Sequence, residues 1–186
     1  MAENGSVILV RHAQPVIVPD RPTSTWALAD GARQEIEALA ASIRDLSADG
    51  VVASPQVKAH GTGEVIAGFL GLPLESDDAF REQGGDTEPF LPDADFRAAV
   101  AAHFARPDDV VFGSESSTQA ARRFAEGIDR ACAPFRLPVV VTHGRVMCGY
   151  LASALGIDPL PVWRDLRLPD AYLIGLDDGT LARIEA

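Results

Sequence analysis

The chain has 186 residues, 47% of them hydrophobic, enough to bury one substantial core, so a single domain over residues 1–186 is expected. A formal net charge of −11 argues against nucleic acid and anionic membranes as partners, because both attract basic surfaces; any phosphate must be met locally. No run of about 18 uncharged apolar residues occurs, and the opening MAENGSVILVRH has neither a basic leader nor a cleavage pattern, so a cytoplasmic location is expected.

Along the chain, short apolar runs alternate with helical patterns, the mark of a mostly parallel sheet covered on both faces: a three-layer α/β/α sandwich. Residues 7–10 (VILV) are the first strand. Apolar residues recur at helical spacing over 31–46, and Asp49-Gly50 closes that helix before the strand 51–53. Ser54 is placed to cap the next helix and Pro55 to occupy its first turn, the helix running to about Leu70. Residues 73–95, rich in Pro, Asp and Gly, read as a long functional loop. Helices are expected over 95–104 and 116–135, then a β-branched strand at 139–141 and a helix to about Leu155, with a further strand-to-helix repeat after it. Residues 172–176 and 180–184 flank Asp177-Asp178-Gly179, a hairpin signal that adds an antiparallel element at the sheet edge. Cys132 and Cys148 have no metal-like spacing and read as reduced, buried thiols.

Ligands of open α/β sheets bind beyond the carboxyl ends of the strands. Those ends deliver Arg11 and His12 from the first strand, Ser54 with Lys58 one turn later from the second, and His143 with Gly144 from the β-branched strand. Arginine, lysine and a helix N-terminus each favour phosphate, so these residues describe an anion pocket that holds two histidines. A neutral imidazole can attack phosphorus when its other nitrogen is fixed by an acceptor. The leaving oxygen then needs a proton from a carboxylic acid of raised pKa, and residues 80–88 offer Glu82, Asp86 and Glu88. His60 and His103 read as surface or partly buried structural residues, and Glu115-Ser116 as a helix start.

The segment LVRHAQP resembles the Arg-His signature of the histidine phosphatase superfamily, which includes the cofactor-dependent phosphoglycerate mutases. WALADGARQ, ASPQVKAHGTGEVIA, FREQGG, SESSTQAARRF and VVVTHGRV are similar to further segments of that family, in the family's order. The resemblance implies a phosphoglycerate-mutase-like fold, with His12 as nucleophile, Arg11 at the phosphoryl group, His143 as the second histidine and Glu82 as general acid; Gly144, at the helix start, is expected to meet the phosphate as well. It implies neither a metal nor an organic cofactor. Lys58 stands where the family usually has arginine, replacing a bidentate clamp by one ammonium, so Lys58→Arg is expected to raise turnover. Gly61 and Gly63 follow it and are expected to loosen that helix. The loop after Glu82 lacks the aromatic residue that many members carry, which leaves Asp86 and Glu88 open as the acid.

The reading is a metal-independent phosphomonoesterase that works through phosphohistidine on a small phosphorylated molecule. The alternatives are a phosphate-binding or regulatory protein, a phosphatase of phosphopeptides, and a phosphoglycerate mutase, for whose enclosing insertions the spans between motifs are too short. Specificity is assigned to residues 15–25 and 86–95, and a homodimer is allowed by the composition.

Overall fold

The computed structural model describes residues 5–84, 90–111 and 113–186. Its elements are β1 (Ser6–Arg11), α1 (Ala32–Arg44), β2 (Gly50–Ala53), α2 (Val57–Leu70), β3 (Leu74–Ser76), α3 (Asp93–Ala105), α4 (Ser117–Cys132), β4 (Pro138–Thr142), α5 (Gly144–Leu155), α6 (Pro159–Asp165), β5 (Asp170–Gly175) and β6 (Leu181–Ile184). The strands form one six-stranded sheet in the order β3-β2-β4-β1-β5-β6. The first four run parallel, and β5 and β6 close the far edge as an antiparallel hairpin.

The uninterrupted apolar runs follow from burial on both faces. On one side, Ile8, Val10, Val51, Val139 and Val141 pack against Ile36, Leu39 and Ile43 of α1 and Ile66 of α2. On the other, Leu9, Val52 and Val140 meet Phe124 and Ile128 of α4 and Met147 and Leu151 of α5. A smaller cluster of Val100, Cys148 and Trp163 ties α3 and α6 to α5. Among the described residues, no helix is long and apolar enough to cross a membrane.

Several expectations change in detail. The helix after β2 starts at Val57 with Gln56 as its cap, not at Ser54-Pro55, because the Ser54 hydroxyl accepts the Gln56 N–H at 3.3 Å and turns to other work. Residues 73–95 are not all loop: they hold β3 and a 3-10 turn, Asp78–Phe80, which Asp77 caps by accepting the Ala79 N–H at 2.8 Å. No strand precedes α6; Gly156, at φ 67°, ends α5, and Asp158 accepts the Leu160 N–H at 3.0 Å, so Asp-Pro starts a helix directly. Ser116 caps α4 in a reciprocal capping box with Gln119. Cys148 is buried, whereas Cys132 is only half-buried.

Gly61 and Gly63 do not loosen α2. A Cβ at Gly63 would sit 2.9 Å from the Ala53 Cβ, and one at Gly61 3.2 Å from Leu28, so both glycines let the helix lie close against its neighbours. The cost in helix propensity, about 1 kcal/mol for each glycine relative to alanine, is set against that close packing.

Candidate active site

The carboxyl ends of β2, β4 and β1 lie side by side, with β4 in the middle. Just past the ladders, the His12 N–H donates to the Thr142 carbonyl and the Ser54 N–H to the Val141 carbonyl, each at 2.9 Å. The backbone therefore brings Arg11, His12, Ser54 and His143 to one sheet edge, as the sequence predicts.

His12 Nδ1 lies 2.8 Å from the Ala13 carbonyl oxygen. A carbonyl only accepts, so Nδ1 carries the proton and Nε2 keeps its lone pair. The Ala13 N–H donates to Thr62 Oγ1 at 3.1 Å, and that hydroxyl donates to the Lys58 carbonyl at 2.8 Å, which ties the turn after His12 to α2. The His12 and His143 ring centroids are 5.1 Å apart at 61°. Burial, then each other's proximity for His12 and the Lys58 ammonium for both, push the two imidazoles well below the usual histidine range, so both are neutral at pH 7.

His143 is fully buried, with Nε2 2.9 Å from Ser54 Oγ. Its Nδ1 has no hydrogen-bond partner among the described residues. Arg11 donates from Nη1 to the carbonyls of Leu166 (3.0 Å) and Arg167 (3.4 Å), while its buried Nε has no partner among the described residues. Burial lowers the guanidinium from its usual value and Glu82 opposes that, so it stays charged. A Cβ at Gly144 would meet Arg11 Nε at 3.2 Å, so glycine at the start of α5 is what lets the guanidinium lie against the helix end.

Lys58 is 6% exposed. Its Nζ donates to the Thr23 carbonyl at 2.6 Å and stands 5.6 Å from the centroid of the Trp26 ring, so it joins the start of α2 to the segment after β1.

Glu82 follows the 3-10 turn, which is fastened from two sides: Thr142 Oγ1 donates to the Phe80 carbonyl at 2.8 Å, and Arg123 donates to the Ala79 and Arg81 carbonyls. Its carboxylate accepts N–H groups from Gln83 (2.8 Å), Val146 (3.1 Å) and Arg145 (3.3 Å), and Arg145 Nε lies 3.6 Å away. The α5 N-terminus thus holds a carboxylate of the chain itself. The expected raised pKa is reversed. Burial pushes Glu82 up, but the Arg145 guanidinium and these N–H groups together outweigh it and hold the carboxyl below its ordinary value. Asp86 and Glu88 lie outside the described residues.

Arg11, His12, Lys58, Glu82, Gly144 and Arg145 line a cavity of about 480 Å³; His143 does not line it. The sequence reading missed Arg145, which Gly144-Arg145 at a helix start after His143 signals, and gave Ser54 the wrong task. His60 is half-exposed, whereas His103 is completely buried rather than near the surface.

A family model, the histidine phosphatase superfamily (branch 1), matches residues 7–177. The chain belongs to that superfamily. It is a phosphatase of the histidine type. Among solved structures, a mycobacterial glucosyl-3-phosphoglycerate phosphatase is similar at 20% identity and TM-score 0.70, covering 96% of each chain. A phosphoserine phosphatase of Entamoeba histolytica is similar at 14% identity and TM-score 0.67, over 97% of this chain and 95% of that one. Bacillus stearothermophilus YhfR is similar at 16% identity and TM-score 0.70, over 96% and 94%. These likenesses establish the mixed α/β fold. No curated protein matches the sequence.

Proposed function

We propose that this histidine phosphatase hydrolyses phosphate monoesters of small molecules through a phosphoenzyme on Nε2 of His12. The observation that carries the reading is the hydrogen bond from His12 Nδ1 to Ala13, which leaves Nε2 unprotonated in a cavity walled by Arg11 and Lys58. The phosphatase neighbours support hydrolysis as the outcome.

In the first step the Nε2 lone pair forms a bond to phosphorus as the bond to the ester oxygen breaks. Arg11 and Lys58 take up the charge on the transferring oxygens, and His143, buried behind the cavity wall with its ring centroid 5.1 Å from that of His12, positions the nucleophile. Glu82 supplies the proton that the departing alcohol needs. It is ionised in the free protein, and a phosphate dianion beside it raises its affinity for a proton, so Glu82 becomes protonated as substrate binds. In the second step water attacks phosphorus, its proton passes to the Glu82 carboxylate, and the bond to Nε2 breaks. Cys132 and Cys148, both unpaired, suit a reducing cytoplasm.

The test is phosphate release from p-nitrophenyl phosphate and a metabolite panel in EDTA, for the natural protein beside His12→Ala. Turnover that falls at least about 10³-fold in the variant supports the reading. Vanadate binding without turnover in the natural protein sinks it in favour of a phosphate-binding protein.

A further inference from the structure

Beyond the phosphate site the cavity changes character, because an aromatic pair rises from each of two of its cations. Lys58 Nζ faces the Trp26 ring, whose centroid is 6.4 Å from that of Phe90. The Arg145 guanidinium stands 5.8 Å from the Phe96 centroid, and Phe96 is 5.9 Å from Trp163. All four rings line the same space as His12. The Trp26 pair leads outward to the exposed Phe90, while Phe96 and the buried Trp163 form an inner wall of the same cavity.

Among the described residues, the walls are poor in groups that accept a hydrogen bond from a polyhydroxy alcohol. Apart from His12 and Glu82, the described lining side chains able to accept a hydrogen bond are Gln14, Thr23 and Asp93, and the Asp93 carboxylate already takes the Arg97 Nε at 2.8 Å. A sugar bound here would find donors for its oxygens in the cations of the wall but few acceptors for its hydroxyl protons, which costs free energy. An aromatic group has no hydroxyl protons to place. At the mouth, Phe90 is 48% and Ile17 55% exposed, apolar surface that a bound ring covers.

We propose that the substrate's alcohol portion is an aromatic ring system, which packs against Trp26 and Phe90 and against Phe96 and Trp163 while the phosphate occupies the site at Arg11 and His12. This rests on the phosphomonoesterase reading of the same site. It assigns a substrate class unlike the glucosyl-3-phosphoglycerate for which that phosphatase neighbour is named.

Leaving-group chemistry alone favours aryl phosphates in any phosphatase, so the test reads binding of phosphonates that cannot be hydrolysed. Calorimetry of the full chain compares (2-naphthylmethyl)phosphonate with (3,4-dihydroxybutyl)phosphonate, in the natural protein and in Phe90→Ala. The naphthyl compound is expected to bind at least about tenfold tighter, and Phe90→Ala to cut that preference about threefold or more, the scale of an aromatic contact. Phe90 is half-exposed, so its truncation leaves the core intact. Equal affinities, a preference for the dihydroxybutyl compound, or a naphthyl preference unmoved by Phe90→Ala overturns the proposal alone. Binding of neither phosphonate nor vanadate overturns the phosphate site and this inference together. Naphthyl preference without His12-dependent hydrolysis supports the pocket and rejects the enzyme mechanism.

Discussion

The Ser54 hydroxyl lies 2.9 Å from Nε2 of His143 while accepting the Gln56 N–H at 3.3 Å. Among the described residues Nε2 is the one acceptor in reach of the buried hydroxyl proton, so the hydroxyl donates to it and His143 carries its own proton on Nδ1. One serine, at the end of β2, thereby sets the tautomer of a histidine at the end of β4.

Ser54→Ala is expected to lower kcat about 10- to 100-fold with little change in KM, the usual scale for losing a group that orients a working imidazole. Ser54→Thr, which keeps the hydroxyl, is expected to restore most of it. The decisive readout is ¹⁵N NMR of His143: the Nδ1–H form in the natural protein, a mixture in Ser54→Ala. An unchanged tautomer would remove the argument.

Glu82→Gln keeps the N–H contacts in part but has no proton to give. Hydrolysis of alkyl phosphates is expected to fall about 10²- to 10⁴-fold, and that of p-nitrophenyl phosphate far less, since its leaving group departs unprotonated. Equal losses on both substrates would mean that Glu82 acts by binding. Arg145→Met removes the cation that holds Glu82 down, so the pH at which Glu82 gains its proton moves upward and the alkaline limb of kcat/KM with it.

Much of this was legible in the sequence because strand ends carry their chemistry in the next residue. A buried run such as VILV fixes a parallel strand, and whatever follows it, here Arg11 and His12, lands at the ligand edge. The same holds for VVVT and His143. What the sequence hid depends on contacts between distant segments. The reversal at Glu82 comes from Arg145, 63 positions away, and from α5's first N–H groups. The short β3 has no pattern of its own and exists because Leu74 and Ser76 add to β2. The glycines of α2 look like weak points until Ala53 and Leu28 are seen against them.

Lys58 looks, from the sequence, like a weakened arginine. In the fold its ammonium is buried, held by the Thr23 carbonyl at 2.6 Å and seated on Trp26. A planar guanidinium is larger than the ammonium in this buried seat, so the expectation for Lys58→Arg reverses: activity is expected to fall about tenfold through overpacking and a displaced Trp26. Lys58→Met is expected to cost more, since the phosphoryl charge then loses a cation. Steady-state kinetics decide it, and a faster Lys58→Arg enzyme would restore the arginine reading.

Gly63→Ala sets two effects against each other. Alanine gains up to about 1 kcal/mol in helix propensity. Its methyl would lie 2.9 Å from the Ala53 Cβ and 3.3 Å from Leu74 Cδ1, an overpacking that costs about 1–3 kcal/mol between elements that cannot easily part. The net expectation is a lower Tm, and a raised one would show that α2 shifts freely. Gly68→Ala, with open space at its Cβ, is the control expected to stabilise.

His103 makes stability depend on pH. It is fully buried, its Nδ1 3.3 Å from Gln83 Nε2, and its Nε2 has no partner among the described residues. Burial first, then the Arg145 charge, against an opposing pull from Glu82, push its pKa down from 6.5 to about 4. The unfolded chain therefore takes up the proton near 6.5 and the folded one only near 4, so stability is lost as pH falls through that window and levels off below it. The scale is on the order of 3 kcal/mol. His12 and His143 act with the same sign, so the measurement is a difference: urea midpoints at pH 7 and pH 4.5 for the natural protein and for His103→Leu. The variant is expected to lose distinctly less stability between the two. Parallel losses would mean that His103 titrates alike in both states, through a cavity that admits water to its ring.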